Sequence, residues 1–319
     1  MHKEIQSTLK YKYLWSEALR SSHRHTLSMP AIWTGVGVHS GLDTQVKAMP
    51  YHPLNDQQLG VILCGYHLSS WHVVDTSYST VLAHPKVGVV KMTEHLFAAL
   101  FAAGIDDVII DISGEECPIL DGSASAYINC LKPIKTHRGQ LNHHHYIERE
   151  WIDLSHPRSV SWKESSIQTQ KIDQNHDQPI TQLPLTMTLA LDLPPLEKQM
   201  AKLNTFEDLY DRVIPAQTFG FLKDEHTLRQ RGLIKGVNHN NTTIYDNFGQ
   251  ALSPSPIRHA AAHHKLLDTI GDLYRLGKPL KGHLVIHRGG HHINHLFVTS
   301  HQSNRATIEQ NENCVKHIT

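Results

Sequence analysis

Cysteine is scarce in this chain. Four occur in 319 residues, Cys64, Cys117, Cys130 and Cys314, and no two form a CxxC pair. That scatter argues against a disulfide framework and against a cysteine-built zinc site, and reduced thiols are expected. An excess of charge of one sign is missing too, because 30 Lys and Arg balance 30 Asp and Glu. There is therefore no broad electrostatic case for nucleic acid or an anionic membrane as partner. No segment approaches about eighteen continuous apolar residues, and "MHKEIQSTLKYKYLWSEALRSSHRH" at the start holds no apolar core of signal-peptide length. A cytoplasmic protein with no transmembrane segment is expected. The chain is long enough for two domains with their own cores, and 39% hydrophobic residues is low but compatible with a soluble globular protein.

Along the chain the pattern reads as α+β in two halves. Residues 1–25 form an N-terminal extension. From residue 26, "TLSMPAIWTGVGVHSG" reads as a short strand and a glycine-rich turn, followed by strand-like "TQVKAMP" and "LGVILCGYHL". "KMTEHLFAALFAAGI" predicts a buried helix and "DDVIIDI" a β-branched strand, completing a first domain over 26–140. The polar, basic "KPIKTHRGQLNHHHYI" reads as a linker. A second domain over 146–305 opens with strand-like "YIEREWIDL", crosses a polar stretch at 155–182 that reads as an irregular loop, and resumes with "LTMTLALDL". Two helical pieces are expected in "TFEDLYDRVIPAQTFGFLKDEHTLRQRGL", then the helix of "HHKLLDTIGD", then a strand, a turn and a further element in "GHLVIHRGGHHINHLFV". Residues 306–319 form a tail.

Histidine is what the chain has in plenty, and "HHKLLDTIGD" puts it to the test. His264, Asp268 and Asp272 fall four apart, so they stack in a column on one helix face, with Leu266, Leu267, Ile270 and Leu273 opposite. With 27 histidines and 30 carboxylates available, chance alone supplies roughly 2.5 His-to-carboxylate pairs at that spacing. An ordinary amphipathic helix is the bland reading; a metal site is the sharp one, since a His and a carboxylate one turn apart reach a single divalent ion. Three further segments bear on chemistry. In "TEHL", adjacent Glu94 and His95 point about 100° apart on a helix, so one can bind a metal while the other works on its bound water; the bland reading is a helix start with Thr93 as N-cap. "PAQTFGF" offers Thr218 as a hydroxyl with Phe219 and Phe221 as apolar wall. "RGGHHIN" places His291 after two glycines, in a turn able to present an imidazole to a cleft.

In this order and at these separations the segments resemble one family, the zinc-dependent UDP-3-O-acyl-N-acetylglucosamine deacetylases of lipid A biosynthesis. "TGVGVHSG", "VVDTSYSTVL", "TEHLFAALFAAGIDDVIIDI" and "CPILDGSA" match its first domain, and "AQTFGF", "RGLIKG", "HHKLLDTIGDL" and "GHHIN" its second, over roughly residues 26 to 300. The resemblance implies two similar domains, each layering helices on a β-sheet, with the active site between them. It implies one catalytic Zn2+ held by His95, His264 and Asp268, three ligands that leave a position for water. Glu94 would take a proton from that water, Thr218 would stabilise the oxyanion, and His291, oriented by Asp272, would protonate the leaving amine. Lys265 would meet the diphosphate of a UDP-linked acylated amino sugar, Phe219 would line the acyl passage, and a monomer is expected.

The chain departs from the family in places. Gln217 stands where an arginine usually precedes the threonine of "RTFGF", and polar "VNHNNTTIYDN" at 237–247 follows "RGLIKG" where a short apolar run is usual. The N-terminal extension and the 155–182 stretch also exceed the usual pattern. Two other readings compete. One is a non-catalytic relative acting as a binding protein, against which stands retention of every expected ligand and proton-transfer residue. The other is a histidine-rich metal buffer, yet the one histidine run, His143–His145, lies in the linker.

Overall fold

The computed structural model describes residues 2–138, 146–171, 181–253, 255–302 and 307–309. The histidine run, Cys314, residues 172–180 of the polar stretch and the end of the tail lie outside them. The fold is α+β, built on two larger sheets. The first has five strands in the order 31–36, 43–50, 108–112, 61–63 and 66–67, antiparallel except where 108–112 runs parallel to 61–63. The second follows the order 199–205, 182–191, 280–287, 165–170, 159–162 and 307–309, with 152–153 paired to 280–287 as a seventh strand.

Among the described residues seven α-helices accompany the sheets: α1 (His2–Arg20), α2 (Glu94–Ala102), α3 (Ser125–Ile128), α4 (Phe206–Asp208), α5 (Leu222–Gln230), α6 (Ala260–Tyr274) and α7 (His291–Gln302). Every residue of α2 is buried, including Glu94 and His95. Thr93 makes no side-chain cap bond, so burial rather than capping fixes where α2 begins. Helix α6 packs directly across α2. Its Leu266, Leu267, Ile270 and Leu273 enter the core, and its polar column is buried as well. A surface helix with one wet face is thereby overturned: the polar stripe lies in the interior, where only paired or ligating groups are tolerated.

Three expectations change. The 155–182 stretch is no irregular loop in its described part, because Ser159–Trp162 and Ser165–Gln170 form an antiparallel hairpin that joins the second sheet through 280–287. Only Val160 and Ile167 are fully buried there, with Trp162 partly so, and three apolar residues over two short strands are too weak an alternation to read as sheet. The start of the linker is also a strand, Pro133–Lys135 pairing with His25–Leu27. The N-terminal extension is a docked helix. Trp15, Ala18 and Leu19 of α1 are buried, and the Trp15 indole N–H donates to Leu131 O at 2.9 Å. Arg149 closes the helix end by donating to Ala18 O and Leu19 O at 2.8 and 3.0 Å while pairing with Asp106 at 2.6 Å. Trp15 also packs on Tyr210, 5.6 Å away between centroids, so α1 touches segments from both halves of the chain.

No helix among the described residues is long and apolar enough to cross a membrane. Cys64, Cys117 and Cys130 are free thiols.

Candidate metal centre and active site

The site begins with a missing side chain. Where α6 crosses α2, a Cβ on Gly271 would lie 2.0 Å from the Glu94 carbonyl oxygen, so glycine alone permits the two helix backbones to come this close. That approach sets His95 of α2 beside His264 and Asp268 of α6. One donor atom from each lies within 4.8 Å of the others, and all three residues are buried. His264 Nε2 is 3.3 Å and His95 Nε2 3.8 Å from Asp268 Oδ1, and the two imidazole rings stand at 89°. His264 Nδ1 is 3.0 Å from Ala216 O, which places the ring proton on Nδ1 and leaves the Nε2 lone pair for a ligand.

Protonation favours metal binding. Burial pushes His95 down to about 3, with His264 adding to the effect, and burial lowers His264 as well. Burial works against the Asp268 carboxylate, but the neighbouring imidazoles and the Lys265 ammonium hold it well below the usual carboxylate range. Two neutral imidazoles and one carboxylate fit a single divalent ion such as zinc, which takes nitrogen and oxygen ligands and keeps a coordination position open when only three come from protein.

Two proton-handling groups flank the cluster. Glu94 is buried and its Oε2 has no hydrogen-bond partner among the described residues, the state of a group awaiting a ligand rather than of one satisfied by the fold. Burial pushes its carboxyl up to about 8. His291, the first residue of α7, has its Nε2 3.9 Å from Glu94 Oε1 and 3.9 Å from Asp268 Oδ2. On the far side its Nδ1 meets Asp272 Oδ2 at 2.9 Å. Burial opposes a charged ring there, yet Asp272, Asp268 and Glu94 outweigh it and hold His291 up at about 9. A carboxyl and an imidazolium whose surroundings set them to opposite tasks are a pair suited to acid-base chemistry.

The remaining expected residues are placed nearby. Lys265 Nζ donates to Asp268 Oδ2 at 2.8 Å and lies 5.4 Å over the Phe219 ring; the structure gives it a carboxylate partner in the cluster. Phe219 also stands 6.1 Å edge-on to His264. From there a cavity of about 620 Å³ opens, lined by Thr218, Phe219, Phe221, Leu228, Val237 and Ile244 among others. The polar 237–247 segment gives the cavity apolar Val237 and Ile244 beside polar Asn238, His239 and Thr242, while the Asn241 side chain is spent on a turn, its Oδ1 accepting from Asn238 N and its Nδ2 donating to Gly236 O at 2.9 Å each. Gln217 is occupied by the protein itself, donating to Asp121 O and Asn240 O at 2.8 Å and accepting from the Thr243 hydroxyl at 3.0 Å.

Sequence reasoning passed over two groups at this site. Asn294 and Thr80 both donate to Asp272. Asn294 follows His291 by three residues in "HHIN", a same-face interval in a helix, and that spacing was the available signal.

A buried two-histidine, one-carboxylate cluster beside a raised carboxyl and a charged imidazole is the equipment of a mononuclear metal-dependent hydrolase. The chain belongs to the UDP-3-O-acyl N-acetylglycosamine deacetylase (LpxC) family, whose model matches residues 24–301. It is similar to the UDP-3-O-acyl-N-acetylglucosamine deacetylase of Syntrophotalea carbinolica, 30% identical with 86% of each chain covered. The enzyme of the same name from Syntrophus aciditrophicus is 28% identical, over 91% of this chain and 87% of that one. A third, from Solibacter usitatus, is 31% identical over 83% and 86%.

Proposed function

We propose that this chain hydrolyses the N-acetyl group of UDP-3-O-acyl-N-acetylglucosamine in lipid A biosynthesis, releasing acetate, with one zinc ion held by His95, His264 and Asp268. The observation that carries the proposal is the placement of Glu94 and of the His291–Asp272 pair beside three buried donors in the protonation states a metal needs. The ion, when bound, supplies a Lewis acid that acidifies water and polarises the acetamide carbonyl.

The chain's own groups do the rest. Glu94 accepts the proton of the attacking water at its unpartnered Oε2, and its raised affinity for protons suits a base working near neutral pH. Thr218 donates from its hydroxyl to the charge that develops on the carbonyl oxygen. His291 gives its Nε2 proton to the leaving amine while Asp272 holds Nδ1. Lys265 turns from Asp268 to the UDP diphosphate, and Phe219 guides the acyl chain into the cavity beside it. We further read the two sheets as the cores of two domains, 26–140 and 146–305, each supplying one helix, α2 or α6, to the site. Free thiols at Cys64, Cys117 and Cys130 fit a reducing compartment, in keeping with a cytoplasmic enzyme.

Acetate release from UDP-3-O-acyl-N-acetylglucosamine, followed with and without a chelator, tests the proposal. Turnover that the chelator abolishes and zinc restores is expected. Zinc-replete protein that binds the substrate without releasing acetate would instead favour a non-catalytic binding protein.

A further inference from the structure

Behind His291 a single carboxylate collects donors from three places in the chain. Asp272 Oδ2 accepts from His291 Nδ1 at 2.9 Å and from Asn294 Nδ2 at 2.8 Å, while Oδ1 accepts from the Thr80 hydroxyl. All three acceptor–donor neighbours are sealed from solvent: Asp272 is 1% exposed, Asn294 and Thr80 0%. His291 and Asn294 lie on one face of α7, Asp272 is on α6, and Thr80 enters from the first half of the chain, just before strand Val81–His84. The Thr269 hydroxyl lies 3.3 Å from Asn294 Oδ1 and 2.8 Å from Lys265 O, so its one proton is shared between the two.

A carboxylate held by one N–H is free to rotate about its own axis; one held by two donors on one oxygen and a third on the other is fixed in plane. We propose that Thr80 and Asn294 are positioning residues, which fix the Asp272 carboxylate so that His291 keeps its Nε2 turned toward Glu94 and the metal-ligand cluster. The inference rests on the proposed hydrolysis for its catalytic consequence, but its structural content stands without it. Because Thr80 comes from the first half and Asp272 from the second, correct aiming of the imidazole also reports that the two halves are properly seated.

The test uses Thr80→Val and Asn294→Leu, which keep volume and remove the donor, with Thr80→Ser as the conservative control. The His291 Nδ1 proton, assigned by its loss in His291→Ala, is followed by proton NMR in the full-length protein. Its exchange with water should quicken about tenfold or more in Thr80→Val and Asn294→Leu and return to the wild-type rate in Thr80→Ser. In zinc-replete enzyme the same two variants should lose about 10-fold to 100-fold in kcat, with KM within about twofold of wild type and zinc content unchanged. In a His291→Ala background they should cost nothing further, since their effect passes through that ring. Unchanged proton exchange, or an equal loss of kcat with and without His291, would overturn the proposal. If Asn294→Leu does not fold, Asn294→Ala, which also removes the donor, takes its place. Wild-type protein that releases no acetate while its His291 proton responds as described would refute the hydrolase reading and leave the clamp standing.

Discussion

Gly271→Ala is the smallest change that strikes the whole site at once. Two effects oppose each other. Inside a helix, alanine in place of glycine contributes roughly 1 kcal/mol of stability. Against it, the new Cβ would lie 2.0 Å from the Glu94 carbonyl oxygen, and restoring an ordinary contact of 3.4 Å requires α2 and α6 to part by 1.4 Å. The obstacle is backbone rather than a flexible side-chain tip, so little local relief exists, and overpacking of this kind costs about 1–3 kcal/mol or more. The clash should win, leaving the protein less stable. The larger effect falls on function, because His95 and Glu94 ride on α2 while His264 and Asp268 ride on α6. Metal sites tolerate about 0.2 Å of ligand displacement, and a misplacement near 1 Å can cost about 100-fold in rate. Urea unfolding, zinc affinity by competition with a chelating dye, and acetate release should therefore all fall together. A Gly271→Ala protein as stable as wild type, with unchanged zinc affinity, would refute the claim that this contact sets the site.

Replacing His95, His264 or Asp268 by Ala should lower zinc occupancy measured by metal analysis, and full occupancy in all three variants would mean the site is misplaced. Lys265→Ala should raise KM more than it lowers kcat, since a phosphate distant from the carbonyl is held alike in ground and transition states; an unchanged KM would remove Lys265 from that role. In metal-free protein, burial raises Glu94 to about 8 from 4.5, so the folded chain keeps a proton that the unfolded chain releases, and the contribution of Glu94 to stability falls as pH rises from 4.5 through 8. His291 acts in the same direction: its contribution, present in full below 6.5, is lost as pH rises through about 9. Urea midpoints should therefore drop less steeply over this range in metal-free Glu94→Gln than in wild type, and equal slopes would refute the role of burial at Glu94.

Much of the site was legible because its residues fall at intervals that helices enforce. His264, Asp268 and Asp272 declare a column, and Glu94 with His95 declare two directions on one helix. What periodicity does not carry is the partner across the interface. That the polar face of α6 is buried against α2 depends on Gly271 meeting Glu94, a contact between residues far apart in sequence. Thr80 on Asp272 is of the same kind. The 159–170 hairpin escaped because Val160 and Ile167 are each the one fully buried residue of their strand. The first helix escaped for another reason: Trp15, Ala18 and Leu19, which it buries, dock on segments far away in sequence, and its fixing point, Arg149, lies beyond the first half altogether.

The most direct test of the central claim is a zinc titration of metal-depleted protein, reading acetate release from UDP-3-O-acyl-N-acetylglucosamine at each addition, with Glu94→Gln in parallel. A single catalytic ion predicts that activity rises from nothing to a plateau at one zinc per chain, and that Glu94→Gln takes up the same single zinc while remaining slower by about 100-fold to 10,000-fold. Activity that persists without metal, or a plateau reached only after several weakly bound ions, would contradict it.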